Sequence, residues 1–375
     1  MTETTDQAKE WVDYHQFFLN EMYDIINDAG ARSVSDIHIL PDDGVWMLTR
    51  GVLTKDPELV VSQHDILEWL RQKGEEGEVS DAYLGEKGHT SIAFDTGKFR
   101  VRGSFRRTTN GVSVTFRLIP RGVPNADEVG VPQVIQDLMS RSAGLILIEG
   151  PTGSGKTTAI AGLINKINTE MDKHVYLIED PIEFVHTPHG NSVFTQREIG
   201  EHALDFPTAV ENALRSKPNV IVVGELLNPA TAKAALHAAT TGHLVITTAH
   251  AGSVTEAIEP FIGQFTAAEQ PQIRSRLSQS LIAIMVQKLV PAIGGGLEAA
   301  REVLIMNRNL QELIRDETKS NMLHQQMQSN QGSNSLEQDL VTLVATGKIT
   351  EETAMDEARS PDAVTDGLNR IKRIK

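Results

Sequence analysis

The order of apolar and polar residues along the chain changes character once, and the change divides it. Near the start, Trp11, Tyr14, Phe17, Phe18, Met22 and Ile25 recur at spacings of three and four, which predicts an amphipathic helix over Asp6 to Asp28. From Ala31 to Leu53 apolar and polar positions alternate as in half-buried strands, with Asp42-Asp43-Gly44 as a turn between two of them. A helix over Gln63 to Lys73 precedes a polar stretch, Lys73 to Ser80, that reads as a surface loop. Lys98 to Phe105 and Val112 to Leu118 are again strand-like and are joined through Thr109-Asn110-Gly111. Helix, strands, helix, strands predict a small mixed α+β domain. Two prolines and a glycine in Pro120-Arg121-Gly122-Val123-Pro124 mark a hinge linker.

Beyond Val131 the strands become short and wholly apolar: Leu145 to Ile148, Val175 to Ile178, Val220 to Val223 and Leu244 to Thr248. Strands of this kind, separated by helical segments, predict a parallel sheet covered on both faces. A hairpin follows over Ile284 to Val290 and Arg301 to Ile305, turning at Gly294-Gly295-Gly296, and the tail from Asn309 reads as short helices with polar linkers. The expected organisation is therefore an α/β chain with an amino-terminal domain over 1–119, a linker over 120–130, and a second domain over 131–375 whose last part, from about 307, is helical.

Length agrees with two domains, since 375 residues exceed what one core usually needs. Cysteine is absent, which excludes disulfides, thiolate metal sites and cysteine nucleophiles. The first residues have neither a positive run nor an apolar core, so no secretory signal is read there. No apolar run approaches the ~20 residues that span a bilayer, so the expected location is cytoplasmic, with membranes reached through partners. A net charge of −15 argues against a general nucleic-acid binder. That charge is uneven. Gly97 to Arg121 holds no acid and seven bases, so an island of +7 faces −22 on the rest of the chain. Such an island is either a solvated strand face or a surface for phosphate or an acidic neighbour.

The strongest chemical signal is Gly150-Pro151-Thr152-Gly153-Ser154-Gly155-Lys156-Thr157, followed by Thr158, which fits G-x-x-x-x-G-K-[ST] between a strand and a helix. Its glycines let successive backbone N–H groups turn inward around a polyphosphate at the positive end of the helix. Lys156 is expected at the β and γ phosphates and the Thr157 hydroxyl at Mg²⁺. No Asn-Lys-x-Asp motif reads guanine, because Asn165-Lys166-Ile167-Asn168 lacks the final Asp, so ATP is expected. A carboxylate is also needed at the end of a neighbouring strand. Glu225, closing Val220 to Val223, meets that demand, as do Glu179, Asp180 and Glu183 after Val175 to Ile178. The alternative for Glu225 is an acid balancing a helix dipole. His243 and His250 bracket the strand Leu244 to Thr248 and are candidates to sense a phosphate or to be merely structural. His186 and His189 lack the partners a zinc site needs.

Taken together, these motifs resemble the secretion ATPase superfamily, which includes type II and type IV secretion ATPases and pilus-retraction motors. Gly150 to Thr158 is similar to its Walker A box, Ile178 to Phe184 with Thr195-Gln196-Arg197-Glu198 to its Asp box, Val220 to Glu225 to its Walker B, and Thr241 to His250 to its His box. Ser35-Asp36-Ile37-His38-Ile39, Phe99-Arg100-Val101 and Phe116-Arg117-Leu118-Ile119-Pro120 resemble its PAS-like module, and Asn309 to Arg315 a helical motif of the retraction branch. The resemblance implies a PAS-like domain followed by a RecA-like ATPase domain, a homo-hexameric ring, and docking on inner-membrane secretion or pilus platform proteins. It also implies Glu225 and Glu183 as water-orienting glutamates, with Glu225 near Mg²⁺. His243 and His250 become nucleotide sensors, and Arg100 and Arg117 reach a nucleotide at a subunit boundary. The chain departs from the family pattern at Asn219, Leu227, Asn228 and Glu211. The departures after Glu225, with Phe261-Ile262-Gly263-Gln264-Phe265 in place of the retraction motors' usual ending, favour a type IVB or conjugative secretion ATPase over a retraction motor. The Asn219 and Leu227 departures motivate a third reading, a slow nucleotide-gated scaffold.

Overall fold

The computed structural model of the chain describes residues 22–374 apart from 31, 33, 50–51, 74–83, 85–87, 121, 317–321 and 329. Two compact units meet at the peptide between Gly122 and Val123.

In the first unit, residues 22–30 are helical, and the earlier part of the predicted amphipathic helix lies outside the described residues. Six strands follow: β1 (Val34–Ile39), β2 (Gly44–Thr49), β3 (Val52–Val60), β4 (His89–Asp95), β5 (Phe99–Thr108) and β6 (Gly111–Pro120). They form one antiparallel sheet in the order β3-β2-β1-β6-β5-β4. The helix Gln63–Lys73 places Trp69, 1% exposed, against Phe105, Phe116 and Phe94. Period-two alternation explains the sheet's two faces. Val101, Phe105, Val114, Phe116 and Leu118 point into the core, while Arg100, Arg102, Arg106 and Arg117 point outward. Four of the seven bases of the island thus share one face. In this unit β3 and β4 escaped the sequence reading. β3 is an edge strand, exposed along most of its length, and carries Pro57, so it lacks the apolar alternation that marks a strand.

The second unit carries β7 (Gly144–Glu149), β8 (His174–Glu179), β9 (Val193–Glu198), β10 (Val220–Val223), β11 (Leu244–Ala249), β12 (Leu281–Pro291) and β13 (Leu297–Ile305). Their order is β13-β12-β7-β11-β10-β8-β9, parallel at every pairing except β12 with β13. The apolar runs are apolar because both faces are covered. Leu145, Leu147, Ile221 and Val223 enter one core, and Ile146, Ile148, Val220 and Val222 enter the other. β9 was not foreseen as a strand, since Val193–Glu198 is an edge segment of mostly polar, half-buried residues. The predicted hairpin is present and longer at both ends. Its outer part packs with the helices Leu336–Ala345, Glu351–Glu357 and Pro361–Ile374 into a smaller core around Val290, Leu340 and Val364. Among the described residues, no helix is long and apolar enough to cross a membrane.

Candidate nucleotide site

Parallel strands present their carboxyl ends on one edge of the sheet, and ligands bind there. Register fixes which residues share that edge. Glu149, the last residue of β7, pairs with Ala249 of β11 and Val286 of β12, and Val223 of β10 pairs with Thr247 and Ile178. The loop Gly150 to Gly155 therefore leaves the sheet in line with His250, with Glu225 and with the segment after Glu179. β11 stands between β7 and β10, so the loop and Glu225 approach each other across one intervening strand.

The loop has the conformation its sequence demands. Gly150, Gly153 and Gly155 have φ of 139°, 78° and 84°, which only glycine adopts without strain. A side chain at Gly150 would meet the Gln287 carbonyl oxygen at 2.1 Å, whereas a Cβ at Gly153 would meet nothing within 4 Å. Gly155 caps the helix Lys156–Glu170, whose first amides thus open onto the loop. Ser154 Oγ is buried without a hydrogen-bond partner among the described residues. Glycine-shaped backbone, an unpartnered hydroxyl and a helix amino terminus together fit a polyphosphate.

Charge is gathered at the same place. Lys156 donates from Nζ to the carbonyls of Gly150 at 2.7 Å and Pro151 at 3.1 Å. Burial pushes its ammonium down, while Glu225 and Glu149 hold it up. Glu149, 1% exposed, has its carboxyl raised to about 7 by burial, with Lys156 opposing. Glu225 Oε1 is in hydrogen-bond contact with Nε2 of His250. Lys156, Glu225 and His250 are thus one electrostatic group drawn from β7's loop, β10 and β11.

Other candidates fall elsewhere. Glu183 lies in the segment after β8, held on either side where Glu198 accepts from Ile182 N at 3.0 Å and Gln196 donates to Phe184 O at 2.9 Å. His243 is at the amino end of β11, where its Nδ1 contacts Ala238 O at 3.1 Å. Six strand residues separate it from His250, or about 20 Å, so within this chain it is not joined to the loop. Arg100 and Arg117 belong to the first unit, where Arg117 Nε donates to Asp36 Oδ1 at 2.8 Å. His189 is bonded to Asn168 and Thr169, and among the described residues no cluster of three or more His, Asp or Glu could hold a metal.

Glu149 and Gln287 were missed by sequence reasoning. For Glu149 a signal existed: it is a lone carboxylate ending a wholly buried run. Gln287 had none, because its role depends on β12 lying beside β7.

The profile of the family described as type II/IV secretion system protein matches residues 14–297. The type IV pilus retraction ATPase PilT of Pseudomonas aeruginosa is 37% identical over 275 residues, 73% of this chain and 80% of its own length. The crystal structure of the pilus retraction motor PilT with bound ADP superposes with a TM-score of 0.80 at 34% identity, over 92% of this chain and 98% of that one. The ATPase DotB of Legionella pneumophila superposes with a TM-score of 0.75 at 26% identity, over 88% and 93%. A glycine-rich loop between a strand and a helix, an acid and a histidine on the neighbouring strands, and likeness at this level over most of the chain lead to one assignment: the chain belongs to the type II/IV secretion system protein family and is an ATP hydrolase.

Proposed function

We propose that the chain is the retraction ATPase of a type IV pilus, working as a hexameric ring on the cytoplasmic side of a membrane and docked there by platform proteins. The observation that carries this reading is the greater likeness, in sequence and in structure, to retraction ATPases than to DotB. It displaces the type IVB preference drawn from residues after Glu225. Two of the departures from the family pattern, one after Glu225 and one before its strand, have local structural roles. Asn228 caps the helix Pro229–Thr240 by accepting from Thr231 N at 2.9 Å, as an aspartate there would. Asn219 bridges the amino ends of strands, accepting from His174 N at 2.8 Å, at the edge opposite the phosphate loop. Neither residue bears on which system the ring serves.

In this reading the second unit is RecA-like and the first PAS-like. The amides of Gly153 to Thr158 and Lys156 hold the phosphates. The Thr157 hydroxyl, with Glu225, would hold Mg²⁺, which screens phosphate charge when bound. Glu225 orients the attacking water and His250, bonded to it, reports the state of the γ-phosphate. Glu183 stands behind it as a second water-orienting acid. Arg100 and Arg117 offer cationic charge to a neighbouring subunit's nucleotide.

The test is genetic. Deleting the gene in its own host leaves pili that extend but do not retract, scored by labelled-pilin imaging, and the Lys156→Ala chain fails to restore retraction. Normal retraction with lost effector or DNA transfer would refute this reading and restore the type IVB one.

A further inference from the structure

Beneath the phosphate loop runs a buried polar chain that phosphate binding by the loop alone does not require. Gln287 on β12, 2% exposed, donates from Nε2 to the carbonyl oxygen of Ser154 at 2.6 Å. Its Oε1 accepts from Nε of Arg301 at 2.8 Å, the residue directly opposite on β13. Arg301 is 4% exposed. Its remaining guanidinium nitrogens donate to the carbonyls of Val129 and Ala299, and its backbone N–H donates to Asp339 Oδ2 at 2.8 Å. Burial brings the guanidinium down to about 10, against Asp339 and Glu298, so it stays charged near neutrality.

The direction of these bonds matters. A trans peptide carries its C=O and N–H on opposite sides. A donor fixed on Ser154 O therefore turns the Gly155 N–H away from β12, toward the side of the loop where amides gather for phosphate. The chain also runs one way, from a cation through an amide to a carbonyl, so each donor strengthens the next. The loop rests directly on this support. A Cβ at Gly155 would meet Gln287 Nε2 at 2.9 Å, and one at Gly150 would meet the Gln287 carbonyl oxygen at 2.1 Å.

We infer that Gln287 and Arg301 form a positioning strut for ATP hydrolysis. The strut holds the Ser154–Gly155 peptide in its phosphate-binding orientation. It anchors that peptide to the first segment of the second unit, through Val129, and to the carboxyl-terminal helices, through Asp339. The inference rests on the loop being the nucleotide site.

The experiment measures ATP affinity with a fluorescent analogue, together with KM and kcat for ATP, on the purified full chain. Gln287→Met deletes the support. Gln287→Met with Arg301→Met deletes it without leaving the Arg301 guanidinium buried and unpaired, which favours folding. Both are expected to raise Kd and KM by about tenfold or more, with a smaller change in kcat and, for the double variant, a melting temperature near the parent's. Arg301→Lys keeps a donor for Gln287 Oε1 and recovers part of the affinity. Where the double variant melts below the assay temperature, Gln287→Asn, polar but too short to span both partners, is read by the same criteria. A folded variant that binds ATP within about twofold of the parent overturns the strut alone. A parent that binds no ATP, or Lys156→Ala binding as the parent does, overturns the nucleotide site and the strut with it.

Discussion

Glu149 is the group whose energetics can be worked furthest. Its carboxyl, 1% exposed at the end of β7, is held at about 7 by burial, against 4.5 for an exposed glutamate. The folded chain binds this proton more tightly than the unfolded chain does. Below about pH 4.5 both states are protonated and the group is neutral in its effect. Between 4.5 and 7 the unfolded chain ionises first, so stability falls by about 1.4 kcal/mol per pH unit. Above 7 both states are ionised and the whole cost, about 3 kcal/mol, is present. Glu149→Gln removes the ionisation and keeps the shape. It should therefore be more stable than the parent by up to about 3 kcal/mol at pH 8, with the difference fading toward pH 5. Urea unfolding at pH 5, 6.5 and 8 measures this. Circular dichroism is the suitable probe, because Trp11, Trp46 and Trp69 all lie before Gly122 and report on the first unit. A variant equally stable relative to the parent at all three pH values would refute the reasoning. So would one less stable at pH 8, since Lys156 would then outweigh burial and favour the carboxylate.

Glu225→Gln should bind ATP as the parent does and lose at least about 99% of turnover, since an orienting acid contributes ~10²–10⁴-fold. Lys156→Ala should lose binding itself, and equal turnover of parent and Glu225→Gln in a phosphate-release assay would leave only the slow-scaffold reading. Arg100→Ala should reduce turnover in assembled rings and leave dilute, monomeric chain unaffected. Equal loss in both, followed by turnover against protein concentration, would remove the trans-arginine role.

Much of the site was legible before any coordinates. The span Gly150 to Thr157 is contiguous, and its function depends on backbone conformation that glycine spacing itself encodes, so the loop, Lys156 and the following helix could be read directly. Glu225 was legible because a carboxylate just past a wholly apolar strand has few structural uses. The two histidines show what sequence proximity leaves out. His243 and His250 flank the same strand, yet only His250 is at its carboxyl end, so strand direction separates residues that sequence proximity groups.

The sequence by itself determined what depends on neighbours along the chain: helix and strand period, the proline- and glycine-rich composition of Pro120 to Pro124, the glycine-rich loop Gly150 to Gly155, and the basic island from Gly97 to Arg121. Tertiary structure decided what depends on strand order. It placed β11 between the loop's strand and that of Glu225, and brought Glu149 under Lys156. It also set Gln287, 133 residues away in sequence, against the Ser154 carbonyl. No local pattern encodes such pairings, because a buried hydrogen bond is specified by which backbones lie side by side, and that is settled only when the sheet forms.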